Sequence, residues 1–192
     1  MFGLTYKQYY NCKRLVMEFN RLITTPEQRD GPAYLPLCIA LYNEESDELF
    51  SSKTPLAFLD GYCDVLVTGF QLEDADRNPS IVSNAGWYIE KKAKQFPDCT
   101  FDYYEAMLEV CRSNLTKVPL LSEVMEMYGV CRKAACDSAV DWIESTRPYE
   151  GITWEIIVDS YKEERVLFKD KNRKLMKPWC FKEPDLEQYI YC

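Results

Sequence analysis

Histidine is absent from this 192-residue chain. Without an imidazole, the sequence contains no Ser-His-Asp triad, no Cys-His pair and no histidine-ligated zinc site. Any proton transfer must therefore come from carboxylate, lysine, tyrosine or cysteine side chains. Basic residues are also scarce, since 23 Lys and Arg face 31 Asp and Glu and the net charge is −8. Nucleic-acid binders carry a basic surface, so we expect no nucleic-acid partner.

Long hydrophobic runs and paired cysteine motifs are missing as well. No apolar run reaches the roughly 18 residues that a membrane span requires. Residues 1–15 lack the apolar stretch of a signal peptide. The nine cysteines include no C-x-x-C pair and mostly lie in apolar segments, which predicts reduced thiols packed in a core. We therefore expect a soluble cytoplasmic protein with no membrane partner, located in the host cytoplasm if a virus encodes it.

What the sequence does contain is helical periodicity, which predicts a mainly α fold. Its antiparallel helical bundle core is expected over residues 1–117, and a smaller α+β extension with a β-hairpin over 118–192. Loops are predicted at 24–32 and 74–80, and a hairpin turn at 170–174. Helices are expected at 6–23, about 35–50, 55–72, 82–93, 101–114 and within 120–144, and strands at 152–161 and 164–179.

The second predicted helix carries acids on what should be its core-facing side. Leu37 and Leu41 begin an apolar stripe, and helical spacing continues that stripe onto Glu44, Glu45 and Glu48. An acid run such as NEESDE is ordinarily a solvated helix face, and this alternative stays open for the cluster taken alone.

The third predicted helix, LAFLDGYCDVLVTGF, is apolar on nearly every side, which is typical of a buried helix. Its charged residues are Asp60 and Asp64, one turn apart on one face. A buried carboxylate requires a positive partner. The short connection SSKT predicts that the two helices are antiparallel neighbours. Together their acids form an oxygen-ligand set suited to Mg²⁺, with Mn²⁺ as an alternative.

These segments resemble the all-α nucleoside-triphosphate pyrophosphohydrolases, namely the MazG-like and phosphoribosyl-ATP pyrophosphohydrolase-like proteins and their phage-type branch. NEESDEL followed by FLDGYCDVLVTG is similar to the paired acidic helices of that superfamily. EVCRSNLTK and KLMKPWCFKEPDL are similar to two later motifs of the phosphoribosyl-ATP branch, in the same order. The chain departs from many relatives at Gly61, where they carry a glutamate, and in a longer stretch over 74–99.

The resemblance implies a role for each matching residue. Metal would be held by Glu45, Glu48, Asp60 and Asp64. Glu44 and Glu45 are the candidate catalytic residues, with Glu44 either holding a second metal or accepting the proton of the attacking water. Arg112 and Lys117 could instead stabilise the carbonyl end of a helix. The implied nucleotide-binding residues are Arg112, Ser113, Asn114, Lys117 and Lys177.

The function expected from this resemblance is Mg²⁺-dependent hydrolysis of a nucleoside triphosphate to a monophosphate and pyrophosphate. In the superfamily the site is completed between subunits, so a homodimer or homotetramer is expected. The alternative from another class is a catalytically weak nucleotide-binding or host-interaction protein on the same fold. A third interpretation, the histidine-pathway hydrolase, is disfavoured by the C-terminal extension.

Overall fold

The computed structural model describes residues 3–129, 131–171 and 173–192, which form α-helices and two small antiparallel sheets. The predicted fold class, mainly α with a small C-terminal β-hairpin, is confirmed. The helices are α1 Tyr6–Ile23, α2 Pro26–Arg29, α3 Tyr34–Ser51, α4 Pro55–Asp76, α5 Ile81–Ala93, α6 Tyr103–Leu115, α7 Leu121–Tyr128 and α8 Arg132–Thr146. The strands are β1 Thr100–Phe101, β2 Thr153–Val158, β3 Glu164–Lys169 and β4 Ile190–Tyr191, and a 3-10 turn covers Glu187–Tyr189.

Two compact units divide the chain. Unit 1 runs to Cys111 and also includes Pro184–Cys192, while unit 2 is Arg112–Glu183. The prediction instead divided the chain after residue 117 and assigned all of 118–192 to one extension. In the structure the C-terminal segment returns to unit 1, where β4 pairs with β1 and the Asp102 N–H donates to the Tyr189 carbonyl.

A disulfide joins Cys99 to Cys192 within unit 1. The prediction that every cysteine is reduced is therefore wrong for this pair. The β1–β4 pairing brings together two cysteines that are 93 residues apart in the sequence, a proximity that local spacing could not reveal. Because disulfides persist mainly in oxidising environments, the bond weighs against the reducing compartment that the cysteine pattern predicted.

Local capping explains where the helices of unit 1 begin. Thr5 and Gln8 form a capping box at the start of α1. The Thr54 hydroxyl accepts the Ala57 N–H at the start of α4, with Pro55 in the first turn. A capping box between Thr25 and Gln28 likewise starts the short helix α2, which lies inside the segment that was predicted to be a loop.

Several helix and strand ends differ from the prediction, including the end of β2, which stops at Val158, three residues early. Helix α4 continues to Asp76 and ends at Arg77, which is left-handed with φ 54°. Helix α6 begins only at Tyr103, because Phe101 pairs with Ile190 in the β1–β4 sheet. The predicted second strand stops at Lys169, ten residues early, where Asp170 opens the turn expected at 170–174. Asn172, inside that turn, lies outside the described residues.

Unit 2 packs α7 and α8 with the β2–β3 hairpin. The one or two helices predicted within 120–144 are the two helices α7 and α8; α7 ends at Gly129, whose φ of +122° favours glycine. The hairpin register runs from Thr153 opposite Lys169 to Val158 opposite Glu164. Its inward face packs against apolar residues of α7 and α8, so unit 2 has its own core.

None of the helices in the described parts of the chain combines the length and apolar character that crossing a membrane requires.

Candidate functional site

The two acid-bearing helices, α3 and α4, touch backbone to backbone in unit 1. A Cβ atom added to Gly61 would lie 2.9 Å from the Cα of Leu49. Two turns further along α4, a Cβ added to Gly69 would lie 3.2 Å from a ring carbon of Tyr42. Moving forward on α4 therefore means moving backward on α3, which confirms that the helices are antiparallel neighbours.

This register places the four predicted metal ligands at similar depths along the helix pair. The positions are counted along the axis from the contact between Leu49 and Gly61. Glu45 lies four residues from it and Asp64 lies three residues from it, in the same direction. Glu48 lies one residue away in that direction, and Asp60 lies one residue away in the opposite direction. With a rise of about 1.5 Å per residue, all four lie within roughly 8 Å along the axis. Glu45 and Asp64 are level to within about one residue.

Helical geometry also turns these acids to one side of the α3–α4 seam. Successive residues rotate by about 100° around a helix axis. Starting from Leu49 and Gly61, which face each other, Glu45 and Glu48 rotate to one side, and Asp60 and Asp64 rotate to the same side because α4 runs the opposite way. Glu44 lies further round on that side of α3. We call this surface the acidic edge, defined by Glu44, Glu45, Glu48, Asp60 and Asp64.

The acidic edge lies at the surface, not in the core that the stripe of acids predicted. Glu44, Glu48 and Asp60 are exposed, and Glu45 and Asp64 are half-buried. Leu37, which was expected to begin a core-facing stripe, is 50% exposed. The buried side of α3 is instead formed by Tyr34, Cys38 and Leu49, so that helix covers the core with a different face.

The acidic edge fits Mg²⁺ in the type and backbone placement of its ligands. Carboxylate oxygens on two touching helices are the ligands that hard divalent cations prefer. Within residues 3–129, 131–171 and 173–192, however, no three His, Cys, Asp or Glu side chains converge closely enough to hold a metal. Glu45, Asp60 and Asp64 are each engaged in a polar or electrostatic interaction. Ion binding would thus require these side chains to change rotamer.

Cys63, the residue before Asp64 on α4, is fully buried. Burial, with further contributions from the charges of Asp64 and Asp60, raises the pKa of its thiol well above the ordinary value. The thiol therefore stays protonated and apolar in character, which makes it a core residue and unsuitable as a nucleophile.

The two later motifs meet in unit 2. The Ser113 hydroxyl donates to the Lys182 carbonyl at 2.7 Å, and the Lys182 N–H donates to the Thr116 hydroxyl at 3.0 Å. The Cys180 thiol also lies 3.4 Å from the Thr116 carbonyl. Ser113 is buried, so its hydroxyl joins these segments and is not presented to a ligand.

Two predicted nucleotide-binding lysines stand over a single aromatic ring in unit 2. The Lys117 ammonium lies 5.4 Å from the centre of the Phe181 ring, and the Lys177 ammonium lies 4.4 Å from it. Lys117 also donates to the Asn114 side chain at 2.7 Å, and Lys177 pairs with Glu183 at 2.8 Å. We call these five residues the lysine cluster.

Arg112, in the last turn of α6, is exposed and takes part in an interaction of its own. Lys117 donates to the Asn114 side-chain oxygen and takes part in a further interaction. Sequence reasoning missed Phe181 and Glu183. Both lie inside the quoted KPWCFKEPDL motif, so their aromatic and acidic character was available as a signal.

The acidic edge belongs to unit 1, and the lysine cluster belongs to unit 2. Unit 2 also contains a cavity of about 470 Å³ between α8 and β2. Its lining includes none of the predicted site residues; it is formed by Asp137, Val140, Asp141, Ile152, Thr153 and Trp154.

No protein-family model matches the chain, and no curated protein or solved structure shows significant similarity to it.

Proposed function

We propose that this protein is a Mg²⁺-dependent nucleoside triphosphate pyrophosphohydrolase that releases pyrophosphate and a nucleoside monophosphate. The single observation that carries the proposal is the acidic edge. Two helices in backbone contact at Gly61 and Leu49 present five carboxylates on one side of their seam. Five acids concentrated on one edge repel one another unless a cation or a positively charged group is held among them.

In this proposal Glu45, Glu48, Asp60 and Asp64 would hold Mg²⁺. When bound, the ion would neutralise phosphate charge and orient water for attack on a phosphorus atom. The half-buried pair Glu45 and Asp64 is the best placed to keep a fixed geometry, because packing restricts these side chains more than the exposed Glu48 and Asp60.

Glu44 is the proposed general base. It lies on the acidic edge beside Glu45 but further from the α3–α4 seam, and it is exposed to solvent. A carboxylate in that position accepts a proton from a water molecule that the other acids help to position. No imidazole competes for this role, because the chain contains no histidine.

The proposed homodimer or homotetramer is supported by apolar residues on the acidic edge. Leu56 and Leu37 rotate to the same side of the helix pair as the acids, one near each end of the acid set. They are 38% and 50% exposed. Apolar side chains flanking a polar site are typical of a surface that a second subunit covers. A cytoplasmic location is not part of the proposal, because the Cys99–Cys192 bond weighs against a reducing compartment.

The test is pyrophosphate release from a panel of ribo- and deoxynucleoside triphosphates, with Mg²⁺ and with EDTA. The natural protein is compared with Asp64→Ala and with Asp76→Ala, a matched change of an exposed acid at the far end of α4. We expect Mg²⁺-dependent release that Asp64→Ala abolishes and Asp76→Ala retains.

Absence of turnover on every nucleotide would overturn the proposal. If nucleotide still bound, the catalytically weak binding protein would become the better account. Equal loss of activity in the two variants would also count against the acidic edge as the site, since the change at Asp76 tests general effects on α4.

A further inference from the structure

The cavity between α8 and β2 in unit 2 has a volume of about 470 Å³, which is the size of a small-molecule pocket. Val140, Ile152 and Trp154 give it an apolar wall. Asp137 and Asp141 also line it, one turn apart on the same face of α8. Among the lining residues in the described part of the chain there is no lysine or arginine. We call this site the α8–β2 cavity.

The Trp154 side chain is held in place by the fold. Trp154 lies on β2 opposite Phe168, and it packs against the core of unit 2. Its indole N–H donates to a carboxylate oxygen of Asp137 at 2.9 Å. An indole ring offers apolar surface to an aliphatic stem, and its face attracts cations. One wall of the cavity therefore suits a ligand that combines an apolar body with a positive charge.

Asp137 is charged at neutral pH. Hydrogen bonds from Lys133 and then from Trp154 lower the pKa of its carboxyl. Lys133 pairs with Asp137 at 2.6 Å, but the two side chains are 77% and 46% exposed, so this ion pair is weak. Because a carboxylate has about four acceptor sites, Asp137 has room for a further donor.

Asp141 gives the cavity its second negative charge. Its side chain is exposed, and Lys133 offsets only one of the two aspartates. A lining with this charge repels phosphates and other anions and favours cations. A metal ion is a poor fit, because it needs several oxygen ligands and most of this lining is apolar. The charge and the apolar wall together favour an organic cation.

We propose that the α8–β2 cavity binds an ammonium or guanidinium group carried on an apolar stem. The stem would pack against Val140, Ile152 and Trp154, and the charged head would donate to Asp141 and Asp137. Such a cation is found at the end of a lysine or arginine side chain of a protein partner, and also in free aliphatic amines. This site lies in unit 2 and takes a ligand of opposite charge to a nucleotide, so the inference does not depend on the proposed hydrolysis.

The experiment is an NMR titration of the ¹⁵N-labelled full chain, in EDTA and at constant ionic strength. The indole N–H signals of the four tryptophans are followed, and the Trp154 signal is assigned with Trp154→Phe. The probes are butylammonium, ethylammonium and neutral butanol. We expect butylammonium to shift the Trp154 signal with saturation and to bind about fivefold more tightly than ethylammonium, as partial burial of two further methylenes predicts. Butanol should leave the signal in place.

A pair of charge variants tests the role of the acids. Asp141→Asn removes the exposed carboxylate of the cavity and should weaken butylammonium binding about threefold to fivefold. Glu126→Gln, the matched control, makes the same charge change at an exposed position of α7 outside the cavity, and should leave binding unchanged. Circular dichroism checks that both variants are folded.

A Trp154 signal that no cation shifts would overturn the site. So would equal binding of butanol and butylammonium, or equal affinities in Asp141→Asn and Glu126→Gln. Titration with N-acetyl-lysine amide and with spermidine then distinguishes the two sources of the cation. Tighter binding of the lysine amide assigns the site to a basic side chain of a protein partner, and tighter binding of spermidine assigns it to a free amine.

Discussion

At the scale of single residues, Glu44 and Asp64 carry different parts of the proposed chemistry. Asp64 is half-buried and level with Glu45 across the seam, which suits a ligand held in place. Glu44 is exposed and further from the seam, which suits a group that exchanges protons with water. Kinetic measurements distinguish the two roles, because loss of a general base lowers kcat, whereas loss of a metal ligand raises the Mg²⁺ concentration needed for activity.

We expect Glu44→Gln to lower kcat by about 10²–10⁴-fold, the usual contribution of a general base. The Mg²⁺ concentration for half-maximal activity should change little, because the amide leaves the other four acids in place. Pyrophosphate release measured against Mg²⁺ concentration checks this. A variant that recovers full activity at high Mg²⁺ would identify Glu44 as a metal ligand.

The most buried acid of α4 is Glu73, not either of the aspartates that the sequence singled out. It is 3% exposed, accepts from Lys13 of α1 at 2.5 Å, and accepts from the Val82 N–H of α5 at 3.0 Å. One carboxylate thus joins three helices. Its partners come from elements distant in sequence, so only the fold could reveal that its charge is satisfied.

Glu73→Gln should lower the free energy of unfolding by about 2 kcal/mol, because it removes a charge-assisted bond in the interior. Urea denaturation at neutral pH measures the change. The control is Glu18→Gln. The side chains of Glu18 and its partner Arg14 are both more than half exposed, so this change should lower the free energy of unfolding by less than about 1 kcal/mol. Equal losses in the two variants would show that burial of Glu73 adds nothing.

At the scale of secondary-structure elements, Gly61 controls how closely α3 approaches α4. Its missing Cβ leaves room for the Leu49 backbone, which cannot move aside without displacing the helix. At Gly69 the nearest atoms are instead side-chain carbons of Val82 and Tyr42. A glutamate at position 61 would not fit this contact, so glycine at this position has a packing role.

Gly61→Ala should destabilise the protein by about 1–3 kcal/mol despite the better helix propensity of alanine, because the added methyl overpacks a backbone contact. Gly69→Ala should cost less, since side-chain carbons can shift. Thermal unfolding of both variants provides the comparison. If Gly61→Ala were neutral while Gly69→Ala was not, the inferred register of the helix pair would be wrong.

The β2–β3 hairpin is closed by Asp159. Its carboxylate accepts from the Tyr161 and Glu163 N–H groups and from the Arg165 guanidinium, at 2.8, 3.0 and 2.8 Å. Burial acts to raise the pKa of this carboxyl, but the bonds from Arg165 and the two amides outweigh it and hold the pKa below the ordinary value.

Because the pKa is depressed in the folded state, Asp159 stabilises the protein above its unfolded pKa of about 3.9. That stabilisation is lost as the pH falls through the lower folded value. Asp159→Asn should therefore cost about 1–2 kcal/mol at pH 7, and the difference should shrink below about pH 4. Urea unfolding across pH, with the exposed Asp98→Asn as control, checks the sign; a pH-independent difference would contradict it.

At the scale of the whole molecule, the Cys99–Cys192 bond ties the C-terminal segment to unit 1. The bond closes a loop with a sequence separation of 93 residues that contains all of unit 2. Leu186 and the β1–β4 pairing hold the same segment by burial and hydrogen bonds.

Replacing both cysteines by serine should lower the stability by about 2–4 kcal/mol, since a closed loop of this size restricts the unfolded chain. A reductant should lower the melting temperature of the natural protein and leave that of the double variant unchanged. Scanning calorimetry with and without reductant measures both. A natural protein that melts identically under the two conditions would show that the bond does not contribute.

Much of the fold follows from local sequence alone. Helix α1 spans Tyr6–Ile23 as predicted, because its amphipathic pattern and the Thr5 capping box are both local. The start of α4 follows from Thr54 and Pro55 for the same reason. The sequence also predicts that any proton transfer uses no histidine. It likewise shows the paired acids and the lysine-bearing motifs, because these depend on residue identity and short spacing.

The remaining features depend on contacts between distant residues. Packing between elements decides which face of α3 is buried and how Leu49 lies opposite Gly61. It also brings Lys117 and Lys177 to the Phe181 ring. The return of the C-terminal segment and the Cys99–Cys192 bond depend on such packing as well. Periodicity along one helix defines its possible faces, but the neighbour that covers a face is selected by the burial and pairing of the whole chain.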